Sequence, residues 1–563
     1  MSRLWEGPFA RQDRDADHLA PARAVSDCDL LIRGGEIFDG GGGRPFPGDV
    51  AIVGDRIDVV GDLKRVRGRD ELDASGLAVA PGFINVLSWA IESLIENGRG
   101  QSDVRQGVTL EIFGEGVSMG PLNASMKEEL VAEQSDISYD VEWTTLAEYL
   151  DWLVARGVSP NVASLVGAAT VRIHELGYED RPPTPDELER MRGLVRTAME
   201  EGAVGVGSAL IYVPAYFAQT AELVALAQAS AAYDGVFTCH VRSEGTRLLE
   251  ALEELVTIAR EARARAEIYH LKAAGRENWN LFETAIERIE RARAEGLELT
   301  ADMYPYTAGA TGLDVTMPPW VQEGGPGAWR ERLRDEATRE RVEDEMTTPT
   351  KEWENLYLAA GPENILLLSF RSERLKPLTG TTLADVAAER GISPPQTAMQ
   401  LVVEDESRVG AAFFQMSGEN VRRGLALPWV SICSDSSALS PESVFLRSNP
   451  HPRAYGAFAR FLGRYVRDDG VVPLEEAVRR MTSLPADVFR LRGRGSLVAG
   501  SFADVVVFDP AEMRDHATYE EPHQYATGVR HVLVNGKPVV RDGEHTGALP
   551  GRVVRGPGWR GAA

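Results

Sequence analysis

The feature that most constrains this chain is a repeated unit in which an apolar strand-like run is followed by an amphipathic helix and then by another such run. "GVFTCHV" ends near His240; "RLLEALEELVTIAREA" then places Leu248, Leu249, Leu252, Leu255 and Ile258 on one helical face; "AEIYHLK" follows and carries His270. A further helix, "LFETAIERIERARAEG", leads into "LELTADMYPY", so equivalent strand ends fall at 240, 270 and 302, which are 30 and 32 residues apart. Strands joined through helices in this way run parallel with right-handed crossovers. The same texture recurs upstream in "GFINVLSW", "GVTLEIFGEG", "NVASLVGAAT" and "AVGVGSALIY", and downstream in "LPWVSICSDS". The count is that of an α/β protein built as a (β/α)8 TIM barrel, whose chemistry sits where the strands end at their carboxyl face.

Both ends of the chain have a different character. "DLLIRGGEIFDG" and "DVAIVGDRIDVVGD" near the start, and "SFADVVVFDP" and "VRHVLVNGKPVVRDG" near the end, read as short strands broken by tight turns, with Asn535-Gly536 a strong hairpin signal. They predict one small β-sandwich made from residues 29–80 and 490–563, after an N-terminal extension over 1–28, with the barrel over 81–489. Residues 307 to 425, between the seventh and eighth strands, are too many for a barrel connection and form an inserted subdomain beside the mouth, either a lid or a decoration. A chain of 563 residues is long enough for several such units.

Bulk properties narrow the partners. A formal net charge of -25 opposes binding to nucleic acid or an anionic membrane, which leaves a small molecule as the expected partner. No run of eighteen apolar residues and no signal-like N-terminus is present, and the three cysteines lie far apart, so a cytoplasmic setting without a disulfide framework is expected. Assembly into a homo-oligomer is left open.

Among nine histidines, His240 and His270 stand at the ends of consecutive strands and point into one mouth, a natural half of a zinc site. Each alone could equally be a hydrogen-bonded core histidine. Glu115 lies between glycines just past the second strand and is the better third ligand; Glu111, four residues earlier, is expected to point elsewhere. Asp435, at the end of the eighth strand, could move a proton between a metal-bound water and a leaving amine, or serve only as a turn aspartate. Lys272, Tyr304, Tyr306 and Arg453 are candidates for holding a substrate carboxylate.

These residues sit in motifs that resemble the N-acyl-D-amino-acid deacylase (D-aminoacylase) branch of the amidohydrolase superfamily. "APGFIN", "QGVT", "EGAVGVGSALIY", "CHVRSEG", "YHLKAAG", "ADMYPYTAG", "CSDS", "HPRAYGAFARFLGRYVR", "MTSLPA", "GSFADVVVFDP" and "PHQYATGVRHVLVNG" occur in order over nearly the whole chain. The resemblance implies a TIM barrel with a β-sandwich and a zinc-activated water that attacks an amide carbonyl. It places the tightly held metal on His240 and His270, makes Asp435 the general acid/base, and turns Lys272, Tyr304 and Arg453 toward the substrate carboxylate.

The departures are specific. Where the family carries His-x-His on the first strand, this chain has Leu87 and Trp89, preceded by Asn85 in place of an aspartate. A ligand cysteine of the second strand is absent, with Glu115 near its place; a serine after the tyrosine motif is Ala310, beside Thr311; a third-strand histidine is Ala168. A centre of Glu115, His240 and His270 holding one zinc survives these losses, and one zinc suffices for amide hydrolysis. Trp89 then fills the vacated space, either as packing or as part of a pocket for a bulkier substrate. The expected activity is hydrolysis of an N-acyl (D-)amino acid or small peptide-like amide. The alternatives are a cyclic amide or imide hydrolase of the hydantoinase type and a degenerate barrel that binds a ligand without catalysis.

Overall fold

The computed structural model describes residues 27 to 561, so the expected N-terminal extension lies almost wholly outside the described residues. Parallel strands occur in all eight segments that read as barrel strands: Phe83–Asn85, Val108–Phe113, Asn161–Ser164 continuing as Val166–Gly167, Gly205–Ala209, Val236–His240, Ala266–Ile268, Leu299–Met303 and Val430–Ile432. Covered on both faces, they are buried throughout, which is why their sequences are nearly continuous apolar runs and not alternating ones. Helix Leu248–Ala262 buries Leu248, Leu252, Leu255 and Ile258 as its periodicity predicts, with Leu249 half-buried at the edge of that face.

These strands pair in two ladders and do not form one closed ring. The first three make a sheet, and Val166–Gly167 through Val430–Ile432 make a second of six strands. Leu165 separates the two pieces of the third strand, its N–H turned to the carbonyl of Phe113. The first and eighth strands meet through a lone parallel bridge, Ser88 to Ser436, with Asp435 N–H donating to Leu87 O (2.9 Å) and Trp89 N–H to Ser436 O (3.0 Å). A first strand only three residues long leaves little backbone for a fuller ladder.

Strands from both ends of the chain join in a single nine-stranded sheet through the antiparallel pair Ala78–Pro81 and Val505–Phe508. Ile57 and Leu533 lie near opposite ends of the strand order yet share one apolar cluster with Ile32, Val50 and Val505. The expected sandwich is therefore one sheet curled over its own core. Asn535 and Gly536 form the anticipated hairpin turn, both with positive φ (48° and 76°). Between residues 307 and 425, Ala308–Gly312, Gly410–Phe414 and Ile365–Ser369 build a small antiparallel sheet. It packs with helices around a core of its own that includes Leu313, Trp329, Val342, Met399 and Phe413. Cys28, Cys239 and Cys433 are free and buried. No helix among the described residues is long and apolar enough to cross a membrane.

Candidate metal centre and active site

The second strand ends at Phe113 and delivers Glu115 between two glycines with positive φ, Gly114 at 107° and Gly116 at 70°. A Cβ on Gly114 would stand 2.5 Å from Leu165 O, and one on Gly116 would stand 2.8 Å from the Ala209 Cβ. The two glycines thus let the chain press against the third and fourth strands and aim the carboxylate inward. His240 closes the fifth strand; His270 lies two residues past the sixth, with a strained φ of 36° secured by its N–H on Asp302 Oδ1 (2.8 Å).

These three side chains converge. Glu115 Oε1 lies 3.0 Å from His240 Nδ1 and 3.2 Å from His270 Nε2, and the two rings meet edge to face with centroids 4.4 Å apart. All three are buried, and their ligand atoms lie within 4.8 Å of one another. The set fits a zinc-type cation, because two imidazole nitrogens and one carboxylate oxygen leave a position open, as a catalytic zinc requires. Burial would raise the Glu115 carboxyl, but the hydrogen bonds from His240 and His270 hold it well below the usual carboxylate range. The other oxygen of Glu115 accepts the indole N–H of Trp89 (3.0 Å). Trp89 therefore does more than fill space: its polar edge occupies Glu115 Oε2, while Leu87 is wholly buried. Glu111 turns to a separate buried cluster, accepting from Asn85 Nδ2 (2.9 Å), which also contacts Ser434 and Asp103.

The trio opens into a cavity of about 710 Å³ that Lys272, Tyr304, Asp435 and Arg453 also line. Asp435 has a φ of 48° and lies 2.8 Å from Arg453 Nη1; burial pushes its carboxyl up, and Arg453 opposes that shift. The guanidinium of Arg453 rests 4.5 Å from the centre of the Tyr304 ring, donates from Nη2 to Ala310 O (3.3 Å), and leaves Nε buried without a hydrogen-bond partner among the described residues. Thr311, beside Ala310, is at the rim and accepts from Tyr212 (3.0 Å). Ala168 is buried at the start of the helix Ala168–Leu176. Tyr306 points away from the centre, toward Pro452 O and Asp515. Lys272 is the departure from expectation, since its ammonium is held by Glu244 (2.5 Å) and by His270 Nδ1 (2.7 Å). Glu244 itself escaped sequence reasoning: it lies past a strand end, in "CHVRSEG", and its only signal was a position four residues after His240.

A family model described as the amidohydrolase family matches residues 112–540. The chain belongs to that family, and the relatives that follow put it in the D-aminoacylase branch. A D-aminoacylase from Alcaligenes xylosoxydans xylosoxydans is 35% identical over 93% of this chain and 97% of its own. The structure of N-acyl-D-glutamate deacylase from Bordetella bronchiseptica, complexed with zinc and a phosphonate mimic of the tetrahedral intermediate, is 31% identical and covers 94% of this chain and 100% of its own, with a TM-score of 0.77. A D-aminoacylase structure of TM-score 0.78 and 31% identity, covering 94% of this chain and 100% of that one, is described by its binuclear metal centre, with activation by one metal and attenuation by a second. A D-hydantoinase from Thermus sp., at 13% identity and a TM-score of 0.51 over 94% of this chain and 99% of its own, shares the fold alone. Membership in this branch makes the chain a hydrolase of carbon–nitrogen bonds other than peptide bonds and favours that reading over the cyclic-amide one.

Proposed function

We propose that the chain hydrolyses the amide bond of an N-acyl amino acid, of the D series as in its relatives, with one zinc held by Glu115, His240 and His270. The observation that carries this is the convergence of both imidazoles on Glu115 Oε1, at 3.0 and 3.2 Å, inside a cavity that also holds Asp435 and Arg453. When bound, zinc polarises the amide carbonyl and lowers the pKa of its water. The rest falls to side chains. Arg453, with a free buried N–H and Tyr304 beneath it, meets the substrate carboxylate; Lys272 reaches it only by exchanging Glu244 for that new partner. Asp435 takes a proton from the attacking water and returns it to the departing amine nitrogen. Trp89 keeps the second oxygen of Glu115 occupied and limits the centre to a single ion. The eight parallel strands belong to a (β/α)8 barrel, with residues 307 to 425 as a lid that contributes Ala310, Arg408 and Phe413 to the cavity wall.

The test is metal content of the purified, undialysed protein by plasma mass spectrometry, beside the His240→Ala/His270→Ala variant, followed by assay on N-acetyl-D-amino acids and the matching hydantoins. About one zinc per chain, absent from the variant, with turnover of the open-chain substrates is the expected result. Turnover of the hydantoins alone would overturn the substrate assignment.

A further inference from the structure

The two imidazoles have carboxylates on both sides. Glu115 faces Nδ1 of His240 and Nε2 of His270; Glu244 faces the opposite nitrogens, with its Oε1 3.0 Å from His270 Nδ1 and its Oε2 3.5 Å from His240 Nε2. The same Oε1 receives the Lys272 ammonium at 2.5 Å. Glu244 is buried, and its backbone N–H is tied to Glu354 of the inserted segment. His240 Nε2 is buried without a hydrogen bond of good geometry, and Glu244 Oε2 is the acceptor beside it.

A neutral imidazole offers a lone pair at one nitrogen only, so the nitrogen that carries the proton decides which one can bind a metal. We infer that Glu244 is the positioning residue of the centre. As the side chains stand, the inner nitrogens donate to Glu115 and the Lys272 ammonium lies 2.7 Å from His270 Nδ1. Once the lone pairs of His240 Nδ1 and His270 Nε2 are given to a metal, the outer N–H groups would turn to Glu244, which takes Lys272 wholly onto its Oε1. This rests on the zinc reading above. Carboxylates that hold the outer nitrogen of a ligand histidine sharpen its orientation and basicity, and their loss typically costs 10–100-fold in metal affinity.

The test is competition for zinc between the full-length protein and a chromophoric chelator, for wild type, Glu244→Ala and Glu244→Gln, with thermal melts of the metal-free forms. The Gln variant keeps an acceptor oxygen at the same place. Zinc affinity about 10–100-fold weaker in the Ala variant, with most of the loss recovered in Gln, is expected. Wild-type affinity within twofold in the Ala variant overturns the inference, as does a Gln variant no better than Ala. If Ala fails to fold, Gln near wild type supports the inference and Gln 100-fold weaker overturns it. Wild type that binds no zinc fails in a different way, by removing the metal reading itself.

Discussion

At the scale of single residues, the centre is defined as much by what replaced the missing histidines as by those retained. Trp89 donates to Glu115 Oε2 and Leu87 is buried, so the first strand brings no ligand atom to the cavity. Wild type is expected to bind no more than one zinc under excess metal, whereas Leu87→His/Trp89→His should bind a second; equilibrium dialysis with metal analysis reads the stoichiometry. Asp435 stands apart from the three ligands, paired with Arg453 at 2.8 Å. Asp435→Asn should therefore keep its zinc while kcat falls by about 10²–10⁴, the usual worth of a positioned general acid/base. Full turnover in that variant would remove Asp435 from proton transfer.

At the scale of elements, strand ends explain both what the sequence reveals and what it hides. Val236–His240 ends at a polar residue, and Val108–Phe113 is followed by Glu115 between two glycines, so His240 and Glu115 could be placed from the pattern alone. Gly114 and Gly116 reinforced that placement, and Gly114→Ala should destabilise the protein by about 2 kcal/mol or more, because it meets both a φ of 107° and the Leu165 carbonyl. A lowered melting temperature together with weakened zinc binding would show it. Glu244 was illegible because no periodicity governs a loop and its partners come from two strands and a lysine. Trp89 was visible as a substitution but not as a donor, since a side-chain hydrogen bond between neighbouring strands leaves no trace in spacing. The curl of the terminal sheet was hidden for a similar reason: alternation shows which face is apolar, not how far the sheet bends.

At the scale of the whole molecule, residues 307 to 425 are joined to the loops after the parallel strands through polar groups as well as apolar packing. Glu354, partly buried, accepts the N–H of Glu244 in the loop after the fifth strand, while Tyr216 and Arg247 hold the carbonyls of Glu352 and Lys351. Burial first, and then the negative charge of Glu244, raise Glu354 to about 7 from an ordinary 4.5, with Lys272 opposing them. Between those values the folded protein binds the proton more tightly than the unfolded chain, so stability from this group is complete below about 4.5 and is lost as pH rises through 7. Glu354→Gln keeps an acceptor for the Glu244 N–H and cannot ionise. It should be more stable than wild type at pH 8, by roughly 1–3 kcal/mol, and indistinguishable from it near pH 4.5. Denaturant titrations of both proteins across this range measure the difference. Equal stability at pH 8 would mean that Glu354 ionises without cost, and that charge repulsion from Glu244 does not act on the seam between residues 307–425 and the loop after the fifth strand.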